Sequence, residues 1–458
     1  MRVFFFLFVS SSILFLSSTL NRVLVEGMGT QTTTKSLQST TPAPVETTPV
    51  PNIQPNASKS QPDVSDIRNG YNLGLGILKK AIANNETLNQ TMKPCPFAQD
   101  INCDPTYKYH SYNGQCNNIF NPQMGGSMTP YKRWISAQYG DTIDTPRNLA
   151  VSRNDLPSPR LISTKIQVDS GATEKTWTHI LSLFGQFVAH DITSLAFNLD
   201  STTGQVAACP CNSIDPNCFP IKVSSNDTIA LTCIQFTRSS PTFPSLDCKI
   251  RQREQLNTVS AFIDGTQIYG DTLEASNQLR TFQGGMLKTS EGVTNRNYLP
   301  LSKTQICGQK SCFLAGDSSM ALPNVNMGTT SIHTLFVREH NRIAAQLALT
   351  NPAWNDTMLY FETRRIVIAI YQHIVYSEWV PAIIGIQVNS PLAVSNGTFF
   401  TGYNPNVNPS IANEFATAVL RFGHSGVKNT LGRYLSNNKL LSSFNITDVI
   451  YNVNEAYK

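Results

Sequence analysis

Charge is scarce in this sequence. Of 458 residues only 14% are Asp, Glu, Lys or Arg, and the formal net charge is +5. So small an imbalance over so long a chain argues against a nucleic-acid partner. After the first twenty residues no uninterrupted apolar run is long enough for a bilayer. The best, at 366–376, is broken by Gln372 and His373. No segment alternates apolar and polar residues over the length of a strand, and none repeats. These absences speak against sandwiches, barrels and solenoids. With 7 His in the chain, each one set among apolar residues is a candidate for chemistry.

The N-terminus is what the rest lacks. Met1-Arg2 precedes a run of Phe, Leu, Ile, Val, Ser and Thr from Val3 to Leu20. One positive charge followed by an apolar core reads as a secretory signal peptide, placed at 1–27, with a retained signal anchor as the rival. Residues 28–65 form a Thr/Pro-rich leader that cannot bury a core, including Thr40-Thr41-Pro42-Ala43-Pro44 and Thr47-Thr48-Pro49-Val50-Pro51. Sequons stand at Asn56, Asn85, Asn89, Asn226, Asn355, Asn396 and Asn445. Ten cysteines suit the same oxidising compartment. Cys209-Pro210-Cys211 with Cys218 could be a zinc site, but a secreted context favours disulfides. Cys103–Cys116 and Cys307–Cys312 are the expected pairs, and the group from Cys209 to Cys248 stays open.

Helical periodicity marks 71–83, a segment from about Thr176 to Asp191, 331–349, 362–380 (ended by Pro381) and 413–424. Residues 100–163 are rich in Pro, Gly and Asn and read as irregular. The expected fold is mainly α, one domain over 66–458 with long disulfide-tied loops. The central stretch is Phe184-Gly185-Gln186-Phe187-Val188-Ala189-His190-Asp191. Gln186 and His190 are four apart and share a helix face, while Asp191 points elsewhere. Hydrogen-bonded core polar groups would look the same, as would a His satisfying helix-end carbonyls at His424. Ser260-x-Phe262-x-Asp264-x-Thr266 alternates side-chain oxygens around a backbone carbonyl. That pattern suits a hard cation if another carboxylate, such as Asp191, joins it. Two histidines on separate apolar helices, His190 and His424, are what a haem needs: an acid–base group and a ligand.

Here the chain resembles the animal haem peroxidase, or peroxidase–cyclooxygenase, superfamily, especially its secreted peroxinectin-like and peroxidasin-like members. The resemblance rests on motifs in the family's order. They are Leu156-Pro157-Ser158-Pro159-Arg160, the 184–191 stretch, Arg253-Glu254-Gln255-Leu256-Asn257 and Phe262-Ile263-Asp264-Gly265-Thr266. Ala315-Gly316-Asp317, His333-Thr334-Leu335, Arg338-Glu339-His340-Asn341-Arg342 and Arg421-Phe422-Gly423-His424 complete the set. It implies H₂O₂-dependent oxidation of small donors, phenols or halides, by a secreted protein that binds haem b and Ca²⁺. Cell-surface or matrix contacts are implied as well. By resemblance His190 is the distal acid–base group and Gln186 the distal glutamine. His424 is the proximal iron ligand, and Arg421 pairs with a haem propionate. Asp191, Ser260, Phe262 (through its carbonyl), Asp264 and Thr266 are the calcium ligands.

Some family features are not matched. The distal arginine would follow Ala315-Gly316-Asp317, but Ser318-Ser319-Met320 stands there. No Arg occurs between Lys310 and Val337. The two carboxylates that bind haem through esters in many members are missing: Ala189 occupies one place, and no acid lies between Asp317 and Glu339. Haem without ester links is therefore expected. The family domain usually continues beyond Lys458, so the resemblance covers a partial domain whose C-terminal portion is missing. The alternative function is an impaired or inactive pseudoperoxidase, or truncated isoform, with an adhesive or matrix role.

Overall fold

The structure, a computed structural model, describes residues 62–86, 91–98, 100–168, 171–291, 297–302, 312–316, 322–385 and 402–452. The signal peptide, nearly all of the leader, the sequons at Asn56, Asn89 and Asn396, Cys307 and residues 318–320 lie outside them.

Helix α1 (Val64–Ala83) starts where the Asp63 carboxylate accepts from the Asp66 N–H at 2.8 Å. It buries Ile67 and Tyr71 against Phe97, Phe243, Ile250 and Leu256, forming one of two cores. The chain then runs irregularly, as its Pro, Gly and Asn content predicts, apart from strand β1 (Thr129–Pro130). Ser158 caps α2 (Pro159–Ile166), and Arg160 grips Asp227 through two hydrogen bonds of 2.7 and 2.8 Å. The Leu156–Arg160 motif is thus a helix start plus a clamp.

Helix α3 (Ile180–Ile192) carries the central stretch. It begins later than the expected Thr176 because residues 171–178 are all exposed and have no face to bury. Short strands follow: β2 (Ile221–Lys222), β3 (Cys233–Ile234), β4 (Pro241–Thr242) and β5 (Glu254–Asn257). Strand β5 lies between β1 and β4, antiparallel to both, with Thr129 opposite Asn257 and Thr242 opposite Glu254. Pro130 and Pro241 sit on the edge strands, where a missing N–H is tolerated. Two-residue strands are too short to show alternation, so the sequence gives no sign of them.

Next come α4 (Thr266–Tyr269), α5 (Leu273–Leu279), α6 (Met327–Thr350) and α7 (Asp356–Ile374). Pro381 does not end α7. The helix runs through a π turn (Val375–Trp379) into α8 (Val380–Ile384), and Pro381 falls in the first turn of α8. The continuous stretch Asp356–Ile384 is long and apolar enough to cross a membrane by length and composition, which corrects the expectation that no later segment is. One face of it packs inside the protein. Val367, Ile368 and Tyr371 build the main core, and the fully buried Arg364 donates to the carbonyls of His110 and Ser111. The expected helix 413–424 is two pieces, α9 (Asn413–Thr417) and a 3-10 helix (Val419–Gly426). They are separated at Ala418, where φ is −125° and ψ −65°. A hairpin of β6 (Thr430–Tyr434) and β7 (Leu440–Asn445), then α10 (Ile446–Val449), closes the described chain.

The main core is where α3 crosses α6 and α7. Phe187 stacks on Phe336 with ring centroids 5.0 Å apart, and Tyr371 meets both rings edge-on. Gly328 makes the crossing possible. A Cβ there would stand 2.3 Å from Leu183 Cδ1, so a larger residue forces the Leu183 side chain, or the helix that carries it, to move.

Among the described residues four disulfides tie the loops: Cys95–Cys248, Cys103–Cys116, Cys209–Cys218 and Cys211–Cys233. The expected Cys103–Cys116 pair is present, and the open middle group resolves into three bonds. Cys307–Cys312 involves a residue outside those described. Cys95–Cys248 spans 153 residues. In the loop-entropy picture a closure of that length is worth roughly 4–5 kcal/mol.

The Arg253–Asn257 motif is the hub of the sheet. Arg253 donates to Asp144 at 2.9 Å, and Glu254 accepts from Arg133 and Asn413. Asn257 donates to the Ile192 carbonyl at 3.0 Å and accepts from Ser194 N at 2.8 Å and Tyr131 Oη at 3.1 Å. It therefore satisfies the backbone where α3 ends. Asn257→Ala should leave these buried groups unpaired and lower stability by about 2–4 kcal/mol, read as a shift in the urea unfolding midpoint.

Candidate active site

Gln186 and His190 emerge one turn apart on α3. The Gln186 Oε1 accepts from Asn326 Nδ2 at 2.9 Å and from Thr329 Oγ1 at 3.2 Å. Asn326 is also the N-cap of α6, accepting from Thr329 N at 3.0 Å. The start of α6 thus fixes the Gln186 amide by its oxygen, and its N–H₂ has no partner among the described residues.

His190 keeps some exposed surface, but its Nδ1 is shut off from solvent and has no hydrogen-bond partner among the described residues. Burial, then the nearby His333 and Arg421, hold its pKa down at about 3. At neutral pH it is an uncharged base. His333 on α6 is 1% exposed. Its Nδ1 lies 2.9 Å from the Thr329 carbonyl and its Nε2 is buried without a partner. Its ring stands edge-on to Phe187 at 4.8 Å.

Asp191 projects the other way, as the spacing requires. It is fully buried, and its carboxylate accepts from Thr266 N at 2.7 Å and Gly265 N at 3.4 Å. Asp264 beside it accepts from Ser260 Oγ at 2.6 Å and Thr266 Oγ1 at 2.8 Å. Burial pushes both carboxyls up, and the charge of Asp264 pushes Asp191 further. Two buried carboxylates ringed by hydroxyls form a place where a divalent cation would remove the repulsion. Among the described residues no group of three or more His, Cys, Asp or Glu side chains is placed for a metal. A cation here would depend on hydroxyl and carbonyl oxygens as well. Gly316 packs on this loop. Its N–H donates to the Gln267 carbonyl at 3.0 Å, and a Cβ would lie 2.0 Å from the Thr266 carbonyl oxygen. This close approach is the structural reason for glycine in the Ala315-Gly316-Asp317 tripeptide.

The 3-10 segment 419–426 runs antiparallel along α3. The Arg421 charge bears on His190 and Tyr131, and its Nε donates to the Ala416 carbonyl at 2.9 Å. A Cβ on Gly426 would touch Ser182 Oγ, and Lys428 N donates to His179 Nε2 at 3.4 Å. His424 lies between these contacts, exposed, with no hydrogen bond to its imidazole among the described residues. The fold therefore gathers Gln186, His190 and Arg421, joins them through Asp191 to the 260–266 loop, and displays His424 on the neighbouring segment. The residue types suit a haem: one unengaged imidazole to ligate, one with a closed-off, unpartnered nitrogen for proton transfer, and an Arg beside it.

The Arg338–Arg342 motif has a structural task. His340 lies 3.0 Å from Tyr269 Oη and 2.8 Å from the Gly285 carbonyl. Asn341 bonds both backbone groups of Leu287. Arg338 donates to the Asn297 carbonyl at 2.6 Å, and Arg342 pairs with Glu339 at 2.7 Å. Neither arginine is directed at His190. Sequence reasoning missed Asn326 and Thr329 as partners of Gln186 and the nearness of His333 to His190. The signal available was the four-residue spacing of Thr329 and His333, which matches that of Gln186 and His190. A depression of about 540 Å³ at the Cys103–Cys116 loop, lined by Asp100, Phe120, Gln123 and Leu246 among others, is apart from all these residues.

The animal haem peroxidase family model matches residues 109–458. The chain is 35% identical over 353 residues to the human protein named peroxidasin homolog, covering 71% of this chain and 23% of that one. It is 32% identical over 350 residues to the Aedes aegypti chorion peroxidase, covering 72% and 43%. It thus spans less than half the length of either relative. Among solved structures, peroxidase A of Dictyostelium discoideum superposes with a TM-score of 0.61 at 25% identity, over 76% of this chain and 66% of that chain. Oryza sativa fatty acid alpha-dioxygenase, at TM-score 0.56 and 18% identity over 86% and 62%, shares the fold.

The buried histidines predict a pH dependence. His333 and His340 are each held at about 4, chiefly by burial. Between that value and about 6.5 the unfolded chain takes up protons that the folded chain refuses. Stability should therefore fall as pH drops, by up to about 1.4 kcal/mol per pH unit for each histidine. His340→Gln should reduce that slope when urea midpoints are compared at pH 7 and pH 4.5.

Proposed function

The chain belongs to the animal haem peroxidase family, and from that premise we propose that it is a secreted peroxidase using H₂O₂ to oxidise small donors such as phenols or halides. The observation that carries this reading is His190. It is an imidazole kept neutral by burial, with Nδ1 closed off, placed beside a Gln whose amide is held by the start of α6. Haem, when bound, supplies the electrons that reduce the O–O bond. His424 would hold its iron and Arg421 would pair with a propionate. Ala189 offers no carboxylate for an ester link. His190 Nε2, the nitrogen not closed off, takes the proton from the attacking peroxide oxygen and returns it to the departing one. Gln186 Nε2 donates to the oxygen or halide in the pocket.

A calcium ion held by Asp191, Ser260, Thr266, Asp264 and the Phe262 carbonyl would lock α3 to the 260–266 loop. That bond sets the position of His190, its neighbour in sequence. Secretion is supported by the N-terminal apolar run and the four disulfides. A second reading, a pseudoperoxidase with an adhesive or matrix role, is favoured by one feature: no Arg lies between Lys310 and Val337. A positioned cation at a site of developing charge is worth several kcal/mol, so its lack would slow turnover.

Reconstitution with haem should give a Soret band and H₂O₂-dependent guaiacol oxidation. His424→Ala should abolish the band. His190→Ala should keep the band and lower turnover by about 10²- to 10⁴-fold. A Soret band without guaiacol oxidation selects the second reading, and no band at all rejects both. Calcium at about 100 times its Kd should stabilise the chain by roughly 2.7 kcal/mol, raising Tm by a few degrees, and Asp264→Asn should remove most of that gain.

A further inference from the structure

Helices α3 and α6 meet in a register that rises along both chains together. Leu183 lies on Gly328. Gln186 bonds Asn326 and Thr329. Phe187 meets His333 and then Phe336. On α3 the next position facing α6 is His190, one turn beyond Gln186. On α6 the residue one turn beyond Thr329 is His333. The two pairs, Gln186 with Thr329 and His190 with His333, are successive rungs of one ladder.

The lower rung is closed by a hydrogen bond of 3.2 Å. The upper rung brings His333 close enough to bear on the charge of His190 and is not closed by a hydrogen bond. His190 Nδ1 and His333 Nε2 are each buried, and each lacks a partner. They are the two imidazole nitrogens among the described residues left in that state. Burying such an atom unpaired costs about 1–3 kcal/mol, and two on neighbouring side chains are satisfied at once if they share a proton or a water. The tautomers are decided locally. His333 Nδ1 faces a carbonyl oxygen, Thr329 O, which can only accept. Nδ1 must therefore carry the proton, and Nε2 is left as an acceptor. An acceptor at that place calls for a donor on His190 Nδ1.

We propose that His333 is the positioning residue for His190: its Nε2 accepts, through one buried water, the hydrogen bond that starts at His190 Nδ1–H, and so keeps the lone pair of His190 on Nε2. The chain Thr329 carbonyl–His333–His190 then does for this base what a second partner does for any imidazole whose one nitrogen must face a reactant. The proposal deepens the peroxidase reading and its catalytic consequence rests on it, but the tautomer itself does not.

The test is ¹⁵N NMR of histidine-labelled full-length chain at pH 7.5, both without porphyrin and with diamagnetic zinc protoporphyrin. His190 should appear as the Nδ1–H tautomer and His333 likewise. His333→Phe, which keeps a ring against Phe187 and removes the acceptor, should shift His190 toward Nε2–H. His333→Asn, which keeps an acceptor, should shift it less. In haem-loaded protein kcat should fall about 10- to 100-fold in His333→Phe with the Soret band intact, and recover in part in His333→Asn. A wild-type His190 found as Nε2–H overturns the proposal without any variant, as does an unchanged tautomer in folded His333→Phe. Because the tautomer is read without haem, a chain that never binds haem would refute the peroxidase reading and leave this one to stand or fall by itself.

Discussion

A buried carboxylate holds the centre of this molecule together. Asp191 has no access to water, and its oxygens take the N–H groups of Gly265 and Thr266. Those two donors open the short helix α4, so the charge also sits where the helix N-terminus favours an anion. The bond fixes α3 against the 260–266 loop, and Gly316 seals that loop from the other side. Everything that gives His190 its place depends on this link, since His190 is the preceding residue and shares its helix turn.

The second constraint is the crossing of α3 with α6 and α7. An aromatic cluster of Phe187, Phe336 and Tyr371 fills the crossing, and Gly328 permits the close approach. The consequence for chemistry is that polar residues on the rim of the cluster meet in a fixed order. Gln186 meets the cap of α6, and His190 lies a turn further on. Burial then sets the protonation of the site, because the same desolvation that packs the core keeps its histidines uncharged. Apolar packing and acid–base readiness are in this way one effect.

Several motifs that look functional turn out to carry architecture. The Arg253–Asn257 run organises the small sheet and ends α3. The Arg338–Arg342 run pins the loops around 285 and 297 to α6. A helical domain with long loops has few backbone ladders to hold it, so side chains and disulfides satisfy loop backbone instead.

The sequence by itself determined the helical character, the Cys103–Cys116 bond and the placing of Gln186 and His190 on one face of a helix with Asp191 turned away from them. Spacing was enough for these. Four residues along a helix share a face, and the next residue cannot. Helix limits were less legible. The stop expected at Pro381 and the single helix expected at 413–424 failed because a π turn and a break at Ala418 answer to packing, which leaves no local mark. The pairing of Cys95 with Cys248 and the hairpin at 430–445 were likewise decided by distant partners. Tertiary structure alone brought Asn326 and Thr329 to Gln186 and set His333 beside His190. Those contacts join residues about 140 positions apart, and no pattern within either segment encodes which helix will lie against it.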